Sequence, residues 1–179
     1  MGEPEFKDIV IHHKLVGVTP EMIDWFFVNM VDTRFYKLWH PWAHIGIEWE
    51  VPPTEEMRKN RNIGAIQVVE EKIGDAPVFK GRLKVIDPAE SPIKAIYPHQ
   101  RATMGLGPDD KPSGWIMHEY KAAPYGTIMR STFRRPADTP EEAIARTRQH
   151  NKEEMGFFPV FLPELYKLAM IWEGAAVGD

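Results

Sequence analysis

The sequence predicts a single α+β domain, residues 1–179, in which a curved antiparallel sheet wraps against a long C-terminal helix and leaves a cavity between them. Three observations carry this prediction. A strand and an aromatic-rich helical stretch open the chain, a run of strands punctuated by Gly and Pro turns fills its middle, and a long helical segment closes it.

Ile9 to Val16 reads as the first strand. Thr19-Pro20-Glu21 then supplies an N-cap, a proline at the first helical position and an acid in the first turn, so a helix starts there. It carries Met22, Trp25, Phe26, Asn29 and Met30 at helical spacing and runs through Phe35-Tyr36-Lys37-Leu38-Trp39, with Asp32 as its weak point and Pro41 as its stop. His40 is thereby placed at the helix end. From His44 to Val51 apolar residues alternate as in a strand, which Pro52-Pro53 ends. Gly64–Ile73 and Val78–Ile86 form a hairpin around Gly74-Asp75. Further strands are expected at Gln100–Gly105, Trp115–Lys121 and Thr127–Arg134, with turns at Gly107-Pro108-Asp109-Asp110 and Pro124-Tyr125-Gly126. Thr139-Pro140-Glu141-Glu142 repeats the helix-start signature. That helix is expected to reach about Met155, where Gly156 and Pro159 interrupt it, and a second piece to span Leu162–Trp172.

Composition narrows the function. The formal net charge is -4 and no face-length run of Lys and Arg occurs, which argues against a nucleic-acid partner. The short basic cluster of Arg130, Arg134 and Arg135 reads as a solvated strand end. The start lacks the regions of a signal peptide, and no apolar stretch approaches the ~20 residues of a membrane span, so a cytoplasmic protein without a membrane partner is expected. With no cysteine, thiolate nucleophiles, disulfides, iron–sulfur clusters and cysteine-type zinc sites are excluded, and any metal must be held by His, Asp and Glu. Six Trp, nine Phe and five Tyr are a high aromatic load. Many fall between Trp25 and Trp49, where they pack a core or line a pocket for a flat apolar ligand.

Three constellations could carry chemistry. His150 and Glu154 are one turn apart on the last helix, so both side chains can reach one ion, and Ala143, Ile144 and Thr147 extend the His150 face. Tyr36-Lys37-Leu38-Trp39-His40-Pro41-Trp42-Ala43-His44 places two histidines around a proline in an apolar setting, where buried polar groups require partners. In the strand ending Val69-Glu70-Glu71-Lys72-Ile73, period-2 alternation groups Glu71 with Val69 and Ile73, making Glu71 the inward acid and Glu70 the solvent one.

Trp25-Phe26, the Tyr36-Lys37-Leu38-Trp39-His40-Pro41-x-x-His44 run, Met129-Arg130-Ser131-x-Phe133, and His150-x-x-x-Glu154 before Phe161-Leu162-Pro163-Glu164-Leu165-Tyr166 together resemble the diacetylphloroglucinol hydrolase family, which includes phloretin hydrolase. The resemblance extends from about Met22 to Tyr166. It implies a Bet v 1-like helix-grip fold, a Zn2+ ion bound by two His and two Glu, and hydrolysis of the carbon–carbon bond joining an acyl group to a phenolic ring. Carried over, the ligands fall on His150, Glu154, Glu71 and His40, with His44 as the alternative to His40. His118 resembles the family's substrate-contacting histidine, and Tyr36 and Tyr125 correspond to its hydrogen-bonding tyrosines. With His40 as ligand, His118, His44 and Tyr36 form the expected catalytic set. Ala43 departs from the polar residue usual between the two histidines. The characterised members also carry a further region before the aromatic helix, where this chain has a short strand.

The implied partners are a small acylated phenol and a second copy of the chain. Two other readings stay open at this point. His40, His150 and Glu154 alone would make a two-His-one-carboxylate iron triad, and a helix-grip cavity can bind an aromatic or apolar ligand without turnover.

Overall fold

The computed structural model describes residues 5–176; Met1–Pro4, the start of the leader reading, and Val177–Asp179 lie outside the described residues. The chain runs as β1 (Phe6–Val16), α1 (Pro20–Asn29), α2 (Thr33–Trp39), β2 (His44–Val51), α3 (Glu55–Lys59), β3 (Ile66–Glu71), β4 (Phe79–Ile86), β5 (His99–Leu106), β6 (Pro112–Ala123), β7 (Gly126–Pro136) and α4 (Glu141–Ala176). The seven strands form one antiparallel sheet in the order β1-β7-β6-β5-β4-β3-β2. Each strand from β2 to β6 therefore pairs with the next in sequence, and β1 forms the far edge against β7. The helix-grip α+β architecture expected from the sequence is the one observed.

Every expected strand is present, with ends moved by a few residues. Between β6 and β7 the turn depends on Gly126, whose φ is 137°. A side chain there would put its Cβ 2.3 Å from the Leu15 carbonyl, so only glycine lets β1 close on this hairpin.

The first helical stretch divides at Asp32. The Asp32 carboxylate accepts hydrogen bonds from the Arg34 and Phe35 backbone amides, at 2.8 and 3.1 Å, and so caps a new helix in place of continuing the old one. The short α3 has no counterpart in the sequence reading. It buries no residue, so it leaves no apolar period, and Thr54 caps it through the Met57 amide.

The expected interruption of the last helix is not observed: α4 is continuous through Gly156, Pro159 and Pro163. The prolines lack the N–H that would bond back one turn, a local loss. Against it stands a fully buried row, Met155, Phe158 and Leu162, at helical spacing. The Phe158 ring packs 5.3 Å from Phe26 and 5.6 Å from Trp39, which secures the helix where the prolines weaken it. Gly156 is exposed, and a Cβ there would meet nothing within 4 Å, so it acts as an ordinary surface residue and not as a cap. The main core joins α1, α2 and this face of α4 to the inner side of the sheet. Among the described residues no helix is long and apolar enough to cross a membrane.

Candidate metal centre and cavity

A cavity of about 360 Å³ lies between the sheet and α4, with α1 and α2 contributing Phe27, Tyr36 and Trp39 to its wall. That volume is in the range of small-molecule sites. Glu71, His150 and Glu154 line it from opposite sides.

The chain places its polar groups there by ordinary local geometry. His44 begins β2, and Glu71 ends β3 directly opposite it in the antiparallel register. Glu71 shares the inward face with Gln67 and Val69, as the alternation requires, while Glu70 alternates away. His150 and Glu154 stand one turn apart on the buried face of α4, 3.6 Å from each other between Nε2 and Oε2. His44 Nε2 lies 3.5 Å from the same Glu154 oxygen and 3.9 Å from Glu71 Oε1, and His150 Nε2 lies 3.9 Å from Glu71 Oε2. One donor atom from each of His44, His150 and Glu154 falls within 4.8 Å of the others, all three residues buried.

His40 is directed elsewhere. Its Nδ1 accepts from the Ala43 amide at 3.3 Å, and its Nε2 faces Glu153 at 3.1 Å. Its ring stacks behind His150, with 5.0 Å between centroids. Of the two histidines around Pro41, the structure brings His44 into the group and sets His40 behind it. The reason is the turn at residues 41–43, which starts β2 with the His44 side chain inward.

The fit to a divalent ion rests on the donor set. His44 Nδ1–H donates to the Tyr36 carbonyl at 2.9 Å, which leaves Nε2 with its lone pair buried and, among the described residues, without a hydrogen-bond partner. The Tyr36 ring stacks on His44, 3.8 Å between centroids, and holds its plane. Burial pulls the His44 pKa down to about 4, so the imidazole is neutral and ready to ligate. Burial also pushes the Glu71 and Glu154 carboxyls above their usual range. A cation between them would relieve that cost. Two donors about 2.1 Å from one tetrahedral ion sit roughly 3.4 Å apart, close to the spacings found here.

Each acid is also held from behind. The Tyr36 hydroxyl donates to Glu71 Oε1. Burial, with Glu71 beside it, keeps that phenol protonated. Asn151 donates to Glu154 Oε1 at 2.7 Å and is itself hydrogen-bonded to His13 Nε2 at 2.9 Å. Such outer contacts orient ligands. Asn151 and His13 were missed in the sequence, although each left a signal. His13 continues the inward row Ile9, Ile11 and Leu15 of β1, and Asn151 lies three residues from Glu154 on α4.

His118, from β6, is buried and lines the same cavity. Its Nδ1 is hydrogen-bonded to the Ser131 hydroxyl at 2.9 Å, which leaves Nε2 for a ligand. Phe27 stacks on the ring, and burial lowers the pKa to about 3. Tyr36 borders the cavity through its bond to Glu71, whereas Tyr125 sits in the β6–β7 turn under the Lys14 ammonium, outside the cavity wall.

Comparisons with solved structures return the same fold at low identity. Ara h 8.0201 superposes with a TM-score of 0.60 at 13% identity, over 88% of this chain and 98% of that one. The KanY protein (ms6282) gives 0.57 at 9%, over 90% and 99%. The AHSA1-like protein from Aeromonas hydrophila gives 0.53 at 14%, over 86% and 93%. A comparison with curated protein sequences finds no match. The DAPG hydrolase PhiG domain matches residues 8–136, a span that contains His44, Glu71 and His118 and stops before α4. With most of its length matched and a buried His-His-Glu group able to hold a metal, this chain belongs to the DAPG hydrolase family.

Proposed function

We propose that this protein is a zinc-dependent hydrolase that cleaves the carbon–carbon bond between an acyl group and a phenolic ring. The observation that carries the reading is the convergence of His44, His150 and Glu154, with Glu71 beside them, at the wall of an aromatic-lined cavity. His44, His150, Glu154 and Glu71 would hold the ion, a set of imidazoles and carboxylates that suits zinc. Bound there, zinc supplies Lewis-acid polarisation of the acyl carbonyl or an adjacent ring oxygen and lowers the pKa of a water.

The overall change is balanced by one water. Its oxygen forms a bond to the acyl carbon, the bond from that carbon to the ring breaks, and the ring carbon receives a proton, giving a carboxylic acid and the deacylated phenol. Phe27 and Trp39 hold the flat ring and exclude solvent. His118 is neutral at physiological pH, so it stores no proton of its own and would relay to the ring carbon, through Nε2, the proton that the attacking water gives up as its oxygen bonds the acyl carbon. Tyr36 keeps Glu71 oriented and, through its carbonyl, keeps the His44 lone pair directed inward.

Incubating the protein with acylated phenols and following the deacylated ring and free acid tests the reaction. Metal analysis of protein purified without added metal is expected to show about one zinc per chain. Iron in its place would favour the two-His-one-carboxylate reading, and tight ligand binding without turnover by metal-loaded protein would favour a carrier.

A further inference from the structure

The cavity contains a buried cation that the chemistry above leaves unused. Arg101, on β5, is only 6% exposed and lines the cavity. Among the described residues no carboxylate pairs with it, and its one hydrogen bond runs from Nη1 to the Arg61 carbonyl at 2.9 Å. Its guanidinium lies over the Phe27 ring, 5.7 Å from the centroid. Other arginines of the sheet have acidic partners: Arg82 has Glu50 and Asp110, Arg130 has Glu119, and Arg134 has Asp8. Arg135, which also lines the cavity, feels the charge of Glu71.

An unpaired buried charge is costly, and this one is built in with care. The carbonyl that anchors it comes from a turn in which Arg61 and Asn62 adopt φ of 54° and 63°, a conformation that side-chain-bearing residues rarely take. Burial lowers the pKa of Arg101 to about 10, which still leaves it charged at neutral pH. In the β5–β6 register Arg101 faces His118, so both side chains emerge on the cavity side, and Phe27 contacts both. Arg101 thus has free N–H groups, a fixed position and a place beside the histidine assigned to the ring.

We infer that Arg101 is a specificity-determining residue that pairs with an anionic oxygen carried by the aromatic substrate, a phenolate or a ring carboxylate, while the acyl group faces His44, His150 and Glu154. The inference rests on the proposed function only in taking an aromatic acyl compound as ligand. A guanidinium pairs well with either oxyanion, and the aromatic wall favours the ring that bears it.

Calorimetric titration of metal-stripped protein tests this without turnover. The ligands are para-hydroxyacetophenone above its phenol pKa and its neutral methyl ether, and para-acetylbenzoate and its neutral methyl ester. The wild type is expected to bind at least one of the anions about 10- to 100-fold more tightly than its methylated analogue, the strength of a charge-assisted hydrogen bond. The pair that shows the difference identifies phenolate or carboxylate. Arg101→Gln should abolish the preference and leave the neutral ligands unchanged, and Arg101→Lys should retain part of it. A wild type without anion preference overturns the inference, as does an Arg101→Gln variant that keeps the preference or weakens all ligands equally. If Arg101→Gln does not fold, the wild-type comparison and Arg101→Lys decide. Absence of hydrolysis would count against the proposed reaction alone, and turnover without anion preference against the role of Arg101 alone.

Discussion

The Nε2 atom of His44 lies 3.5 Å from Oε2 of Glu154, joining the first residue of β2 to the buried face of α4, whereas His40, four residues earlier, turns its Nε2 to Glu153. The two histidines should therefore separate in metal affinity. His44→Ala is expected to weaken metal binding by more than about 100-fold, beyond the 10- to 100-fold typical of losing an outer contact, and His40→Ala by no more than that outer-contact range. Chelator competition on both variants measures this, and the reverse order would make His40 the ligand.

Asn151 connects His13 to Glu154. Asn151→Leu keeps the branched heavy-atom outline, though with a larger volume, and removes the donor that orients the carboxylate, so metal affinity should fall about 10- to 100-fold. An unchanged affinity would show that Glu154 needs no support from behind.

The Tyr36 hydroxyl donates to a carboxylate buried at the cavity wall. Tyr36→Phe leaves that carboxylate short of a partner, and the metal-free protein should lose about 1.5–3 kcal/mol of stability. Saturating zinc should return part of the loss, because the ion then compensates Glu71. Urea unfolding with and without zinc reads both quantities.

Burial depresses the pKa of His13 to about 4 and of His118 to about 3, from 6.5. Between those values the unfolded chain takes up protons that the folded chain refuses. The stability contributed by these two groups is complete above pH 6.5 and is lost as the pH falls toward 4 and then 3. The slope is about 1.4 kcal/mol per pH unit for each proton. Urea midpoints from pH 8 to pH 4 should fall accordingly, and His118→Asn should flatten the slope by about one proton.

Phe158 is fully buried among Phe26, Phe27, Trp39 and Phe161. Phe158→Ala should cost about 3–5 kcal/mol in chemical denaturation. A much smaller cost would mean that the row Met155, Phe158 and Leu162 is not what carries α4 across its prolines.

Local signals in the sequence were sufficient for the strands, the Pro-marked starts of α1 and α4, the inward Glu71 and the His150–Glu154 pair, because each follows from periodicity or helix-start signals within a few residues, although Thr139 turns its hydroxyl to the Pro136 carbonyl and does not cap α4 as Thr19 caps α1. They were insufficient at Pro159, where burial of Phe158 outweighs a missing hydrogen bond, and at α3, which has no apolar face to betray it. The choice between His40 and His44 belongs to the same class. Both stand in the same apolar run, and only the turn into β2, with its hydrogen bond to the Tyr36 carbonyl, decides which ring faces the acids of β3 and α4. By itself the sequence determined which residue types could make a metal site and on which faces they lie. The tertiary structure alone decided which of them meet, and that Arg101 is buried in the same cavity without a counter-ion among the described residues, because meeting depends on strand register and helix docking across the whole chain.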